Sequence, residues 1–170
     1  MASRADDVPI EMPADVLSGR SKVFAAIHGL SVPSGTGTGT AASFQRPFAL
    51  ALAGEMLYVT DASNSLLGCS TCTGAIRSIN TATGAVTTVR TQAMWFPVGI
   101  VAVGSFLFCT DIISFTVQQL SLTSGNLTTL AGKPGEKETV DGVGTDARFE
   151  GPYALAASAE LDVLIVTDYI

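Results

Sequence analysis

The chain has 170 residues, of which 47% are hydrophobic and 14% charged, and its formal net charge is −6. That length suffices for one domain with its own core. The charge balance rules out the basic surface that holds phosphate backbones, so nucleic acid is not an expected partner. Seventeen glycines, with frequent Ser and Thr, make a turn-rich, β-rich composition. Residues 133–170 hold eight acids and three bases, whereas residues 23–132 balance at three and three. Such an excess reads as a solvated surface.

Residues 1–22 mix charges, Pro and small residues and contain no apolar run of a signal peptide, so a flexible N-terminal tail is expected there. Next comes "KVFAAIHGL", in which Ile27-His28-Gly29 stands where Leu130-Ala131-Gly132 stands later. It reads as the last strand of a preceding unit.

From here the chain repeats itself. "GTGTAASFQRP" (37–47) overlays "GVGTDARFEGP" (142–152) as G-x-G-T-x-A-x-F-x-x-P, with an offset of 105 residues. An apolar run follows Pro47, Pro97 and Pro152. A second apolar run then ends in Thr-Asp, as "MLYVTD" at Asp61, "FLFCTD" at Asp111 and "VLIVTD" at Asp168. A third anchor recurs as "TGAVTTV" (83–89) and "SGNLTTLAG" (124–132).

Each unit reads as four strands. The first follows the Pro, the second ends at the Asp, the third is "AIRSI" (75–79) or "TVQQL" (116–120), and the fourth is "AVTTV" (85–89) or "NLTTL" (126–130). Thr83-Gly84 and Ser124-Gly125 supply the hairpin turns between the third and fourth. Four short antiparallel strands per repeat of about 40–50 residues are the pattern of a propeller blade. Residues 91–110 carry no charge, but Pro97 and the Gly104-Ser105 pair make them two strands and a turn rather than a membrane span. The fold class expected is therefore all-β, a β-propeller of four-stranded antiparallel blades.

These anchors together resemble NHL-type β-propeller repeats across residues 23–170. The departures lie after the Asp. The family often continues with an Asn-His-x-Ile-Arg stretch. Here the first unit has Asn64 and, after extra residues, Ile76-Arg77; the second reads "DIISFTVQQL", with neither Asn nor Arg; the third reads "TDYI". The resemblance implies that 141–152 connects blades, with Phe149 between them and Pro152 at the start of an innermost strand. It also implies a binding or scaffold module that presents loops on one face to protein partners. Two full units and half of a third do not close a ring of about four to eight blades. The chain is therefore expected to be a piece of a longer protein, or to associate with itself through exposed blade flanks.

Candidate chemistry is sparse. Asp61, Asp111 and Asp168 end equivalent strands; as rim residues they could bind a ligand through oxygen, or accept backbone N–H groups of the following turn. Cys69 and Cys72 form a single C-x-x-C in an insertion; without a second pair it makes no zinc site, and a local disulfide or two free thiols are the readings left open. Cys109 lies in an apolar strand and should be buried and inert. His28 is the sole His and has no nucleophile-elbow Ser to serve. "GTGTGT" (35–40) and "GKPGEK" (132–137) do not fit a phosphate loop, "DGVGTD" fails the calcium-loop spacing, and no metal or cofactor is expected. The alternatives to a binding module are part of a propeller enzyme, a metal-assisted lyase or hydrolase with its site in the central channel, and an extracellular adhesion-type domain.

Overall fold

The structure is a computed structural model that describes residues 35–38, 41–62, 74–90, 94–158 and 162–169. Among these it is built from strands. The first sheet contains β1 (Gly37–Thr38), β2 (Pro47–Ala53), β3 (Met56–Asp61), β4 (Ala75–Asn80) and β5 (Ala85–Arg90), in the order β1-β5-β4-β3-β2. The second contains β6 (Pro97–Val103), β7 (Phe106–Asp111), β8 (Thr116–Ser121) and β9 (Leu127–Gly132), in chain order. The third is the hairpin of β10 (Pro152–Ser158) and β11 (Val163–Asp168). All strand pairs are antiparallel. Each sheet is a blade of an incomplete β-propeller, and the innermost strands β2, β6 and β10 lie side by side.

The hairpin turns form for the same local reason twice. Gly84 and Gly125 take φ of 71° and 73°, which side chains with a Cβ resist, and each donates its N–H back to Asn80 or Ser121. The side chains of Asn80 and Ser121 accept further N–H groups inside those turns.

A sheet of four strands has no interior of its own, so the core sits between blades. Ala51, Tyr58, Ile76 and Met94 from the first blade and its surroundings close on Ile100, Leu107, Cys109 and Leu120 from the second. Burying each large aliphatic chain contributes about 1.5–3 kcal/mol. For the residues of this cluster the gain is available only when consecutive blades pack. Small residues of the inner strand lie here: Ala49, Ala51 and Ala53 pack into this interface.

The connectors repeat in three dimensions. Gly35 bridges Ser43 in one and Val140 bridges Arg148 in the other, preserving the offset of 105 residues seen in the sequence. The first Gly of each G-x-G-T is fixed by space rather than by backbone angle. A Cβ on Gly37 would stand 2.8 Å from the Ala41 carbonyl carbon, and one on Gly142 would stand 2.6 Å from that of Asp146. Phe44 then packs on Val59, Ile79 and Val86. Phe149 is half-buried against Gly132 at the end of β9.

The structure departs from the sequence reading in two places. The first sheet has five strands rather than four, because Thr38 and Gly37 of the connector pair with Ala85 and Val86. The fourth strand of the second blade starts at Leu127, which leaves Asn126 exposed in the turn. Residues 91–110 supply β6 and β7 as expected, and no helix among the described residues is long and apolar enough to cross a membrane. The proposed tail (1–22), the stretch around His28, and Cys69 and Cys72 lie outside the described residues.

Cys109 is a free thiol at the centre of the core. Burial pushes it far above the ordinary thiol range, and the nearby Asp111 carboxylate adds to the shift. A thiol raised in the folded state leaves stability intact below the unfolded value, about 8.5, and erodes it as pH rises beyond that. Native protein treated with iodoacetamide should therefore show Cys109 unmodified by peptide mass spectrometry. Denaturant should expose it, and the urea midpoint should fall as pH is raised above the thiol range. Ready labelling of Cys109 in the folded protein would contradict this packing.

Candidate functional site

The Thr-Asp pair that ends the second strand of every blade organises the site. The strands run antiparallel, so the Asp lies beside the two residues that precede the inner strand. Asp61 Oδ1 accepts the N–H groups of Gln45 and Arg46, both at 2.8 Å. Asp168 accepts those of Glu150 at 3.0 Å and Gly151 at 2.6 Å. Asp111 accepts four: Trp95 at 2.6 Å, Phe96 at 3.1 Å, and Ile113 and Ser114 at 3.2 Å each. The N–H groups of the following turn, expected from the sequence, are thus met by Asp111, while the shared partners of all three carboxylates are the residues just before the Pro.

Asp61 and Asp111 are buried. Burial raises the Asp61 carboxyl above its ordinary value, opposed by the N–H groups of Arg46 and Gln45 and by the Arg77 guanidinium. Arg77 is itself buried, 3.7 Å from Asp61, and its guanidinium donates to the Gly35 carbonyl at 2.8 Å while lying over the Phe44 ring. It thereby ties the connector to the blade. The second blade has Gln118 at this place, bonded to Thr116 and Thr129.

The Thr has a different task. Each inner strand begins with a bulge, so that Phe48 and Ala49 together oppose Thr60, and the same holds for Val98 and Gly99 opposite Thr110. The Thr60 hydroxyl accepts the Ala49 N–H at 3.0 Å and donates to the Val98 carbonyl of the next blade at 2.7 Å. Thr110 accepts from Gly99 at 2.8 Å and donates to the Tyr153 carbonyl of the third blade at 2.6 Å. Thr167 accepts from Ala154 at 2.9 Å. One side chain therefore fills the gap in its own ladder and bonds to the bulge of its neighbour.

At this end of the blades the buried carboxylate of Asp111 holds two exposed apolar side chains by their backbones. Trp95 is 54% exposed and Ile113 is also exposed. Beneath them Phe96 is buried, edge-on to Phe48 at 5.2 Å, with the Arg46 guanidinium 5.8 Å from its ring centre. Sequence reasoning noted Arg77 only in the Ile76-Arg77 match and the Thr only as part of each Thr-Asp run, and did not single out Trp95. The Thr were legible as an invariant position beside each Asp, and Trp95 as the sole Trp, placed in a connector directly before Phe-Pro. Among the described residues no three His, Cys, Asp or Glu side chains gather closely enough to share a metal ion.

No protein-family model matches the sequence, and no curated protein does. Solved structures do match. One is a structural-genomics protein of unknown function from Bacteroides thetaiotaomicron, at 20% identity and a TM-score of 0.57, over 72% of this chain and 30% of that one. Another is a chain of a nidogen/laminin complex, at 15% identity and a TM-score of 0.48, over 75% of this chain and 57% of that one. The chain thus spans less than a third of the first of these proteins. At such identities the first likeness concerns the fold alone.

Replacing Thr60 by Val keeps the shape and removes the hydroxyl. It leaves the Ala49 N–H and the Val98 carbonyl unpaired in a buried place, which costs about 1–3 kcal/mol per group. The urea midpoint of Thr60→Val should drop accordingly, with the β circular-dichroism signal retained. An unchanged midpoint would show that the hydroxyl does not join the blades.

Proposed function

We propose that this chain is a segment of an NHL-type β-propeller that serves as a protein-binding module, and that the rim carrying Trp95 and Ile113 is its contact surface. The observation that carries this reading is Asp111. One buried carboxylate accepts four backbone N–H groups from two loops, and each loop presents an exposed apolar side chain. A Trp held in place before binding costs little further ordering when a partner arrives, and Trp is enriched among the residues that dominate binding energy. The NHL assignment is supported by the paired G-x-G-T-x-A-x-F-x-x-P connectors and by their common bridge and close glycine approach.

A photo-reactive residue placed at position 95 tests this when compared with one at Thr83, in a turn between the outer strands of the first blade. In the protein's native extract, cross-linked protein should form from position 95 and not from position 83, and Ile113→Asp should reduce it. Equal cross-linking from both positions, or none from 95, would refute the assignment of the rim.

A further inference from the structure

The turn between β7 and β8 holds its backbone in a region that large side chains avoid. Residues 112–115 form this turn, and Phe115 takes φ of 59°. A residue of that size persists there only where its surroundings fix it. Three contacts do so from outside the turn. Asp111 accepts the N–H groups of Ile113 and Ser114. The Ser114 carbonyl accepts the Gly135 N–H at 3.3 Å. The Phe115 carbonyl lies so close to Gly132 that a Cβ there would overlap it. Every one of these partners belongs to the second blade or to the segment that leaves it.

A fourth contact comes from inside the blade. The Ser114 and Thr116 hydroxyls bond at 2.7 Å, and Thr116 Oγ1 also accepts the Gln118 Nε2–H at 2.7 Å. Thr116 and Gln118 are buried. Side chains two apart share one face of a strand, so this row of bonds runs along β8 from the blade interior to the turn. Gln118 is held in turn by Thr129 of β9, at 3.2 Å. In the ladder Gln118 stands opposite Cys109, as Arg77 stands opposite Val59. From that place Arg77 reaches the Gly35 carbonyl in the long connector before the first blade. Only residues 91–96 lie between β5 and the second blade, and its Gln118 bonds along its own strand instead.

We infer that Gln118 is a positioning residue for the rim: through Thr116 and Ser114 it sets the turn that presents Ile113. This rests on the reading of that rim as a contact surface. The strain at Phe115 and the buried row answer to each other. The row holds the turn in a conformation its own residues would leave, and Ile113 is kept exposed beside Trp95 as a result.

Exchange of individual amides, joined to cross-linking from position 95, decides it. Gln118→Met keeps the side-chain length and removes the donor; Ser114→Ala removes the hydroxyl at the other end of the row. In each, the Ile113 and Ser114 amides should exchange about tenfold faster, the size expected when one hydrogen-bond partner is lost. The ladder amides of β8, and the Gln45 amide held by Asp61, should keep their rates. The double variant should exchange no faster than either single one, because both break the same row. Cross-linking from position 95 should fall in each variant, as it should for Ile113→Asp. Should Gln118→Met lose its β circular-dichroism signal, Gln118→Asn, which keeps the amide on a shorter side chain, replaces it. Unchanged exchange at Ile113 and Ser114, or a double variant that multiplies the two effects, would overturn the role of Gln118 even where cross-linking proceeds. Faster exchange with cross-linking undiminished would overturn it as well. No cross-linking from position 95 in the unmodified chain would instead refute the rim itself, and leave Gln118 no contact surface to position.

Discussion

A single hydroxyl between two sheets sets the terms for the rest of this fold. The bulge at the start of an inner strand turns one N–H and one carbonyl away from the ladder, and both must find partners when the blade is buried. Thr60 and Thr110 supply the acceptor for their own N–H and the donor for the neighbour's carbonyl. Without that side chain, packing two blades would strand two backbone groups at their line of closest approach. With it, the bulges run through the molecule as a relay: Ala49 to Thr60 to Val98, then Gly99 to Thr110 to Tyr153.

Close approach follows from this bond. The Gly99 Cα faces the Tyr153 carbonyl so tightly that a Cβ would overlap it. A side chain is thereby excluded at Gly99, while larger apolar side chains fill the space on the neighbouring strands. Tyr58, Ile76, Leu107 and Leu120 do so. The carboxylate one residue beyond each Thr completes the arrangement. It gathers the loop that leads into the inner strand, so the residues just before the Pro are fixed by the blade they introduce. In the second blade this places Trp95 at the rim.

Much of the architecture was legible in the sequence because the repeat anchors are the residues that geometry constrains. Pro marks the start of the inner strand, Thr-Asp the end of the second, and Thr-Gly or Ser-Gly the outer hairpin; the structure finds strands between each. The offset of 105 residues reappears as the bridges Gly35–Ser43 and Val140–Arg148. What stayed hidden were the long-range partners. Thr is a common strand residue for its branched shape, and nothing in the local pattern says that its hydroxyl reaches a different blade. Arg77 reads only as part of the Ile76-Arg77 match; its burial depends on Asp61, Phe44 and Gly35, which come together only in the folded chain. The added strand β1 escaped notice because a two-residue pairing has no periodicity to read.

The central claim is that the Thr hydroxyls lock the bulge amides, and amide hydrogen exchange reads this directly. Ala49 and Gly99 should exchange as slowly as the ladder amides of β3 and β7, since their N–H groups are bonded to buried hydroxyls. The amide of Ser124, which donates to a side chain in an exposed turn, supplies the fast reference. Protection at Ala49 and Gly99 matching the ladder is the result this account requires. Exchange there as rapid as at Ser124 would mean that the blades are not held together by this bond.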